Sequence, residues 1–344
     1  GYRSPEVVRL YSRVLELLHE VGDDQAGCEL PYWGAFAYFY IQRRFQDAQE
    51  VARLLVRLGQ RPGNRILLSM GHRMMAFLSW SDMPVALEHI ERALAYSGEE
   101  LGLEQHRALA VKHALNPRAI ALAFSSFLRS VHDELDLARW QAREAVAFAS
   151  RLGHPHTCAG VLNYAAIGAQ VRRDFRGTLE WAEQCIELSR EHRFRLWLWW
   201  CSILKSWALA WLGQPEEGLA LMRTAFSEWE RSGLQTGTPH NFGMLAEIYL
   251  RLGRIDEGLA AVQKALAPSS FQRGEVGWKA DLHLIRGRLL RLRGRSTEAR
   301  EEFLQAHHIA REQGTLIYLR RAQALLREAP ESREPRPDEA VLHS

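Results

Sequence analysis

The residues with the most obvious chemistry are His154, His156 and Cys158, in the run His-Pro-His-Thr-Cys. Two imidazoles and a thiolate are zinc ligands by type. The run falls where a loop enters a helix, a place where Pro and polar residues are ordinary, and a closed site needs a fourth ligand from elsewhere. A helix start accounts for the run without a metal. His307 and His308 form a weaker pair, expected on a helix surface. The paired acids Glu216-Glu217 and Glu301-Glu302 read as helix first turns or solvated faces. General acid–base work needs carboxylates with separated pKa values in a cleft. None of the lysines Lys112, Lys205, Lys264 and Lys279 follows the glycines of a phosphate-binding loop, and neither GxSxG nor HExxH occurs. No catalytic residue, metal or cofactor is expected, and the chain is not read as an enzyme.

Two clusters remain. Arg286, Arg288, Arg291, Arg293, Arg295 and Arg300 crowd one stretch, with Glu298 as their near counter-charge. They could form a surface for phosphate or an acidic partner. The plainer reading is a solvated helix pair in an Arg-rich chain, because the net charge of the 344 residues is only +3. That balance gives no expectation of nucleic-acid binding. The second cluster is Trp197, Trp199, Trp200, Trp207 and Trp211, five of the eleven tryptophans. Residues 194–213 approach the ~20 apolar residues of a membrane span. Lys205 at the centre and tryptophans through the middle argue against one, so no membrane partner is expected. Helical spacing sets Trp200, Ile203, Trp207 and Trp211 on one stripe.

The elements that would carry these residues repeat. GQPEEGLALMRTAF from Gly213, GRIDEGLAAVQKAL from Gly253 and GRSTEAREEFLQAH from Gly294 align directly. Weaker copies begin at Arg43, Ser81, Asp133 and Arg173. Successive copies are 38, 52, 40, 40, 40 and 41 residues apart, and a period near 40 signals a stacked array. Each unit reads as a helix, a Gly or polar turn, and a second helix opened by an acid or Pro. A small residue recurs near the start of that second helix: Ala48, Ala86, Ala138, Thr178, Gly218, Gly258 and Ala299. No segment alternates with period two, so no strand is expected. The expected fold is all-α: a right-handed superhelical solenoid of about seven helix pairs with capping helices. It forms a single unit over 1–328, with an N-terminal helix at 5–22, an inserted helix and loop at 98–117 and a capping helix at 315–328. The Pro-rich stretch 329–344 should be disordered. Cys28, Cys158, Cys185 and Cys201 form no CxxC, which suits reduced thiols in a cytoplasmic protein. The chain opens on Gly1 rather than Met, so a fragment of a longer protein is expected.

The turn glycine, the acid-acid-Gly/Ala-Leu helix opening and the small-residue position resemble tetratricopeptide repeats. The 40-residue period is longer than usual for that family. It looks more like the long repeats at the C-terminus of large bacterial signalling ATPases, including the maltose-regulator type and fusions with a kinase or nucleotide cyclase. Segments 106–128, 149–169 and 194–223 look like the corresponding region of cyclase–ATPase fusions, the TOMM system kinase/cyclase fusion type among them. The resemblance covers about residues 30–328 and touches no kinase, cyclase or ATPase module.

It implies that the first helix of each pair lines a concave groove. Counted back from the turn glycine Gly213, groove positions are Trp200, Ile203, Trp207 and Trp211. From Gly253 they are His240, Gly243, Glu247 and Arg251, and from Gly294 they are Asp281, Leu284, Arg288 and Arg291. From Arg173 they are Gly160, Asn163, Ile167 and Gln170. The implied function is a non-catalytic protein- or peptide-binding scaffold or sensor of a larger signalling protein. The alternative is a receptor for a small, sugar-like inducer held by the Trp stripe. On the groove reading, Trp207→Ala weakens binding and leaves helicity intact. Packed core remains the other explanation of the stripe, and Trp197 and Trp199 are expected in the core.

Overall fold

The computed structural model describes residues 31–232, 236–268, 271 and 275–328, together with Arg13. The segment expected to be an N-terminal helix, except Arg13, and the segment expected to be a disordered tail lie outside these residues. The described residues form sixteen α-helices and no strand. Seven antiparallel pairs follow one another: α1 (Pro31–Ile41) with α2 (Phe45–Gly59), and α3 (Arg65–Ser79) with α4 (Met83–Ala95). After α5 (Leu103–His113) come α6 (Pro117–Val131) with α7 (Leu135–Leu152), and α8 (Pro155–Val171) with α9 (Phe175–Glu191). The last three pairs are α10 (Arg195–Trp211) with α11 (Pro215–Ser232), α12 (Thr238–Arg251) with α13 (Ile255–Leu266), and α14 (Lys279–Leu292) with α15 (Ser296–Gln313). A final helix, α16 (Leu316–Glu328), packs on α14 and α15. The all-helical array read from the period is therefore what forms. The long spacing of 52 is taken up by α5.

Within a pair, the turn reverses the chain through one residue in the left-handed region. That residue is Gly213, Gly253 or Gly294 in the three most regular copies, and Arg43, Asp133 or Arg173 in weaker ones. The small-residue position is set by contact. A Cβ on Gly218 would stand 2.5 Å from the Ser206 carbonyl oxygen, so α11 could not lie this close to α10 with a larger residue there. Ala48, Ala86, Ala138, Thr178 and Ala299 fill the same place in other pairs and are buried. Helix starts follow the expected chemistry. The Asn116 side chain accepts from the Ala119 N–H at 3.0 Å, with Pro117 at the first helical position.

The array coils until its end meets its beginning. One continuous apolar cluster holds Trp80 after α3, Phe124 and Phe127 of α6, Trp278, Phe303 of α15 and Tyr318 of α16. Trp80 and Trp278 meet edge-on, with ring centroids 5.0 Å apart. Arg43, in the α1–α2 turn, reaches Glu275 at 3.1 Å. On the concave side the structure departs from the groove expected from the sequence. The inner faces of the first helices pack against one another, and what remains on the concave side is a cavity beside a buried ionic cluster.

Candidate ligand cavity and its ionic wall

The Trp-rich helix α10 shows how the concave side is filled. Ile203 and Trp207 have no exposed surface, so both are core residues and not groove walls. The Trp207 Nε1–H donates to Glu247 Oε2 at 2.7 Å, one repeat further along. Glu247 of α12 is itself fully buried. Its Oε1 lies 2.6 Å from Arg173 and 3.3 Å from Arg288. Burial pushes the Glu247 carboxyl up, but Arg173 and Arg288 outweigh it and hold the group below its ordinary value. Asp281 stands nearby, raised by burial. Trp211 is half-buried, stacked parallel on Phe175 with centroids 5.1 Å apart. Three guanidiniums, of Arg173, Arg251 and Arg288, lie 5.1–5.4 Å from its ring centroid. Arg291 pairs with Glu328 at 3.3 Å. Thus Trp211, Glu247, Arg251, Arg288 and Arg291 are engaged with one another or with the last helix. Trp197 is buried, whereas Trp199 is only half-buried.

Of the remaining predicted residues, five border or adjoin a cavity, and Gly160, Gly243 and Leu284 do not line it. It offers about 90 Å³ in which the centre of a water molecule can sit, and Asn163, Ile167, Trp200 and His240 stand on its wall. Gln170 adjoins it, its Oε1 3.1 Å from His240 Nε2. The His240 ring lies flat on Trp278, with centroids 3.8 Å apart at 3°. Burial lowers the His240 pKa to about 3, so the ring is neutral at pH 7. Trp80, Phe124, Phe127 and Tyr164 close the aromatic side. Asn241 of α12, Thr236 of the connection before it and Glu275 of the connection between α13 and α14 supply polar groups. The Gly237 N–H donates to the Glu275 carboxylate at 2.5 Å, and Arg43 is its second partner.

Several of these wall residues were missed in the sequence. Counting back from Asp133, as from the later turns, would have found Phe127. Trp80, Thr236 and Trp278 lie in connections that fold inward, and no periodicity marks them.

The other candidates resolve locally. His154 caps α8, accepting the Thr157 N–H at 3.3 Å. His156 Nδ1 faces the Ala114 carbonyl at 2.9 Å, and Cys158 Sγ donates to the Ala149 carbonyl at 3.1 Å. Their polar atoms thus serve three different partners. In the Arg cluster, Arg286, Arg288, Arg291, Arg293 and Arg295 face Glu302, Glu247, Glu328, Asp256 and Glu298 respectively. Those pairings neutralise the stretch from within. No helix among the described residues is long and apolar enough to cross a membrane.

No protein-family model matches the chain. An uncharacterized protein of Rhizobium meliloti (strain 1021) is 26% identical over 184 residues, a match taking in 53% of this chain and 18% of that protein. The structure of a Rap protein complexed with competence and sporulation factor is similar at TM-score 0.54 and 12% identity, covering 96% of this chain and 95% of that one. A signal transduction ATPase with numerous domains from Pyrococcus horikoshii, carrying a tetratricopeptide repeat sensor, is similar at TM-score 0.50 and 12% identity. There the match covers 95% of this chain and 55% of the other. The fold is that of a tetratricopeptide-like repeat array. At such identities the likeness speaks to the fold alone.

Proposed function

We propose that this chain is a non-catalytic sensor module of a larger signalling protein, and that it takes a small ligand into the aromatic cavity. The observation that carries this reading is where the walls come from. Tyr40, Phe77, Phe127, Ile167, Trp200 and Met244 belong to the first helices of six successive pairs. A ligand touching all six biases their relative placement, and differential contact is the physical requirement for a ligand to shift a conformation. The wall is mostly aromatic with a few polar groups, the composition of small-molecule sites. The attached output, an ATPase, kinase or cyclase, is inferred from the sequence resemblance and agrees with the domain plan of the Pyrococcus horikoshii protein. A cytoplasmic location follows from that role.

Protein or peptide binding is the second reading. It draws on the similar fold of the Rap protein, whose structure contains competence and sporulation factor. A thermal-shift screen of neutral small molecules and short peptides separates the two. Hits should raise the Tm of the wild type and leave Ile167→Trp, which fills the cavity, unmoved. Hits that stabilise both forms equally would place the site elsewhere.

A further inference from the structure

Three side-chain atoms around the cavity are buried without a hydrogen-bond partner among the described residues: Asn163 Oδ1, Asn241 Nδ2 and Thr236 Oγ1. Each residue is 1% exposed, and all three stand on the cavity wall. An unpartnered buried polar group costs about 1–3 kcal/mol, so three around one cavity call for a reason. Asn163 comes from α8, whereas Asn241 of α12 and Thr236 of the connection before it belong to one segment, which tertiary packing brings against α8. The rest of the described wall carries no Arg or Lys. Its one carboxylate, Glu275, is held by Arg43 and the Gly237 N–H. The His240 imidazole is neutral at pH 7 for the reason given above. Nothing on this wall answers a charged ligand, and desolvating an unmatched charge here would be costly. The remaining surface is apolar and mostly aromatic, with Trp200, Trp278, Phe124, Phe127 and Tyr164 beside Ile167, Leu204 and Met244. Rings of this kind favour offset or edge contacts with another planar ring.

We infer that the cavity binds an uncharged, planar heteroaromatic molecule whose edge carries both a hydrogen-bond donor and an acceptor. Asn163 accepts from the ligand's N–H, Asn241 donates to its carbonyl or ring nitrogen, and the Thr236 hydroxyl completes the edge. The aromatic side chains sandwich the ring. This rests on the cavity being the ligand site and adds to it the class of ligand.

The test uses the full chain and three probes read by calorimetry and Trp fluorescence: quinolin-2(1H)-one, naphthalene and glucose. The quinolinone has the ring and the paired edge, naphthalene has only the ring, and glucose has only hydroxyls. The quinolinone should bind at least tenfold tighter than naphthalene, and glucose should give no heat. Asn163→Leu and Asn241→Leu should each weaken the quinolinone about tenfold, the expected effect of one lost bond to a buried group. Asn241→Leu should also keep or raise the wild-type Tm, because it removes an unpartnered polar group from the interior, and Asn163→Leu should lower it little, since the amide gives up only one 3.5 Å bond from Nδ2 to Cys201 Sγ. A lowered Tm in both would mark the amides as structural and overturn the assignment. Equal affinity for naphthalene, undiminished binding by the variants, or no quinolinone binding up to its solubility would do the same. Asn-dependent glucose binding would overturn the ligand class and leave the cavity as the site. Quinolinone binding that survives Ile167→Trp would instead remove the cavity reading itself.

Discussion

At the scale of single residues, the concave side is governed by Glu247. It has no exposed surface, and its oxygens serve Arg173, Arg288 and the Trp207 indole. Removing one partner of a buried charge pair costs about 3–5 kcal/mol, because the other charge is left uncompensated. Glu247→Gln should lose stability of that order in chemical denaturation, although the substitution is isosteric. Trp207→Ala should cost about 3–5 kcal/mol as a buried large-to-small change, so its effect appears as instability and not as the selective loss of binding expected from the sequence. The stripe spacing was legible, but its environment was not. Which face of α10 meets solvent depends on how tightly the array coils, and no single repeat encodes that. The histidines add a pH dependence. Burial lowers His72 to about 4 and His240 to about 3, from an ordinary 6.5. Below pH 6.5 the unfolded chain takes up protons that the folded chain refuses, so stability falls as pH drops toward those values. Glu247, held low, contributes stability above its ordinary 4.5 and loses it only at more acid pH. The Tm should therefore decline already between pH 7 and pH 5. A flat profile over that interval would show that these imidazoles protonate freely in the folded protein.

At the scale of the helix pair, the turn residue decides both the reversal and, in one case, the interior. Arg193, between α9 and α10, is exposed with φ 58°, and Arg173, between α8 and α9, has φ 62°. A left-handed residue with a Cβ is strained by about 1–2 kcal/mol. Arg193→Gly relieves that strain at some cost in chain entropy, and a gain of about 0.5–1 kcal/mol should be seen in urea melts. Arg173→Gly relieves the same strain but strips Glu247 of its nearest counter-charge at 2.6 Å, so it should destabilise. Opposite signs for one substitution at two left-handed positions, one between pairs and one within a pair, would separate turn chemistry from interior chemistry. This also explains what the sequence disclosed. The turn glycines, the small-residue positions and the 40-residue recurrence follow from contacts within a pair, and those contacts repeat in the chain. The cavity depends on contacts between pairs up to 232 residues apart, as in Arg43 with Glu275, and these leave no periodic trace.

At the scale of the whole molecule, closure is the property on which the proposed sensing depends. The last helix ties back to the middle of the array in two ways. Arg320 forms two bonds to Asp133, at 2.6 and 2.7 Å, but the Arg320 side chain is 57% exposed. Pairs in such surroundings contribute only about 0–1 kcal/mol. Beside them, the Arg321 guanidinium donates to the Val171 carbonyl, and Tyr318 is fully buried in the cluster that also holds Trp80, Phe127 and Trp278. The apolar seam should therefore hold the coil shut, with the surface pair setting register at most. Asp133→Ala should leave the radius of gyration in solution scattering unchanged. Tyr318→Ala, which opens a large void where α16 meets α6 and α14, should enlarge it while helicity is retained, because each pair keeps its own internal packing. A stacked array responds through such interfaces between neighbours before its units melt. If Tyr318→Ala instead unfolds the chain in one step at unchanged dimensions, the coil and its pairs form a single cooperative unit. A ligand in the cavity could then only stabilise the closed form and could not switch it.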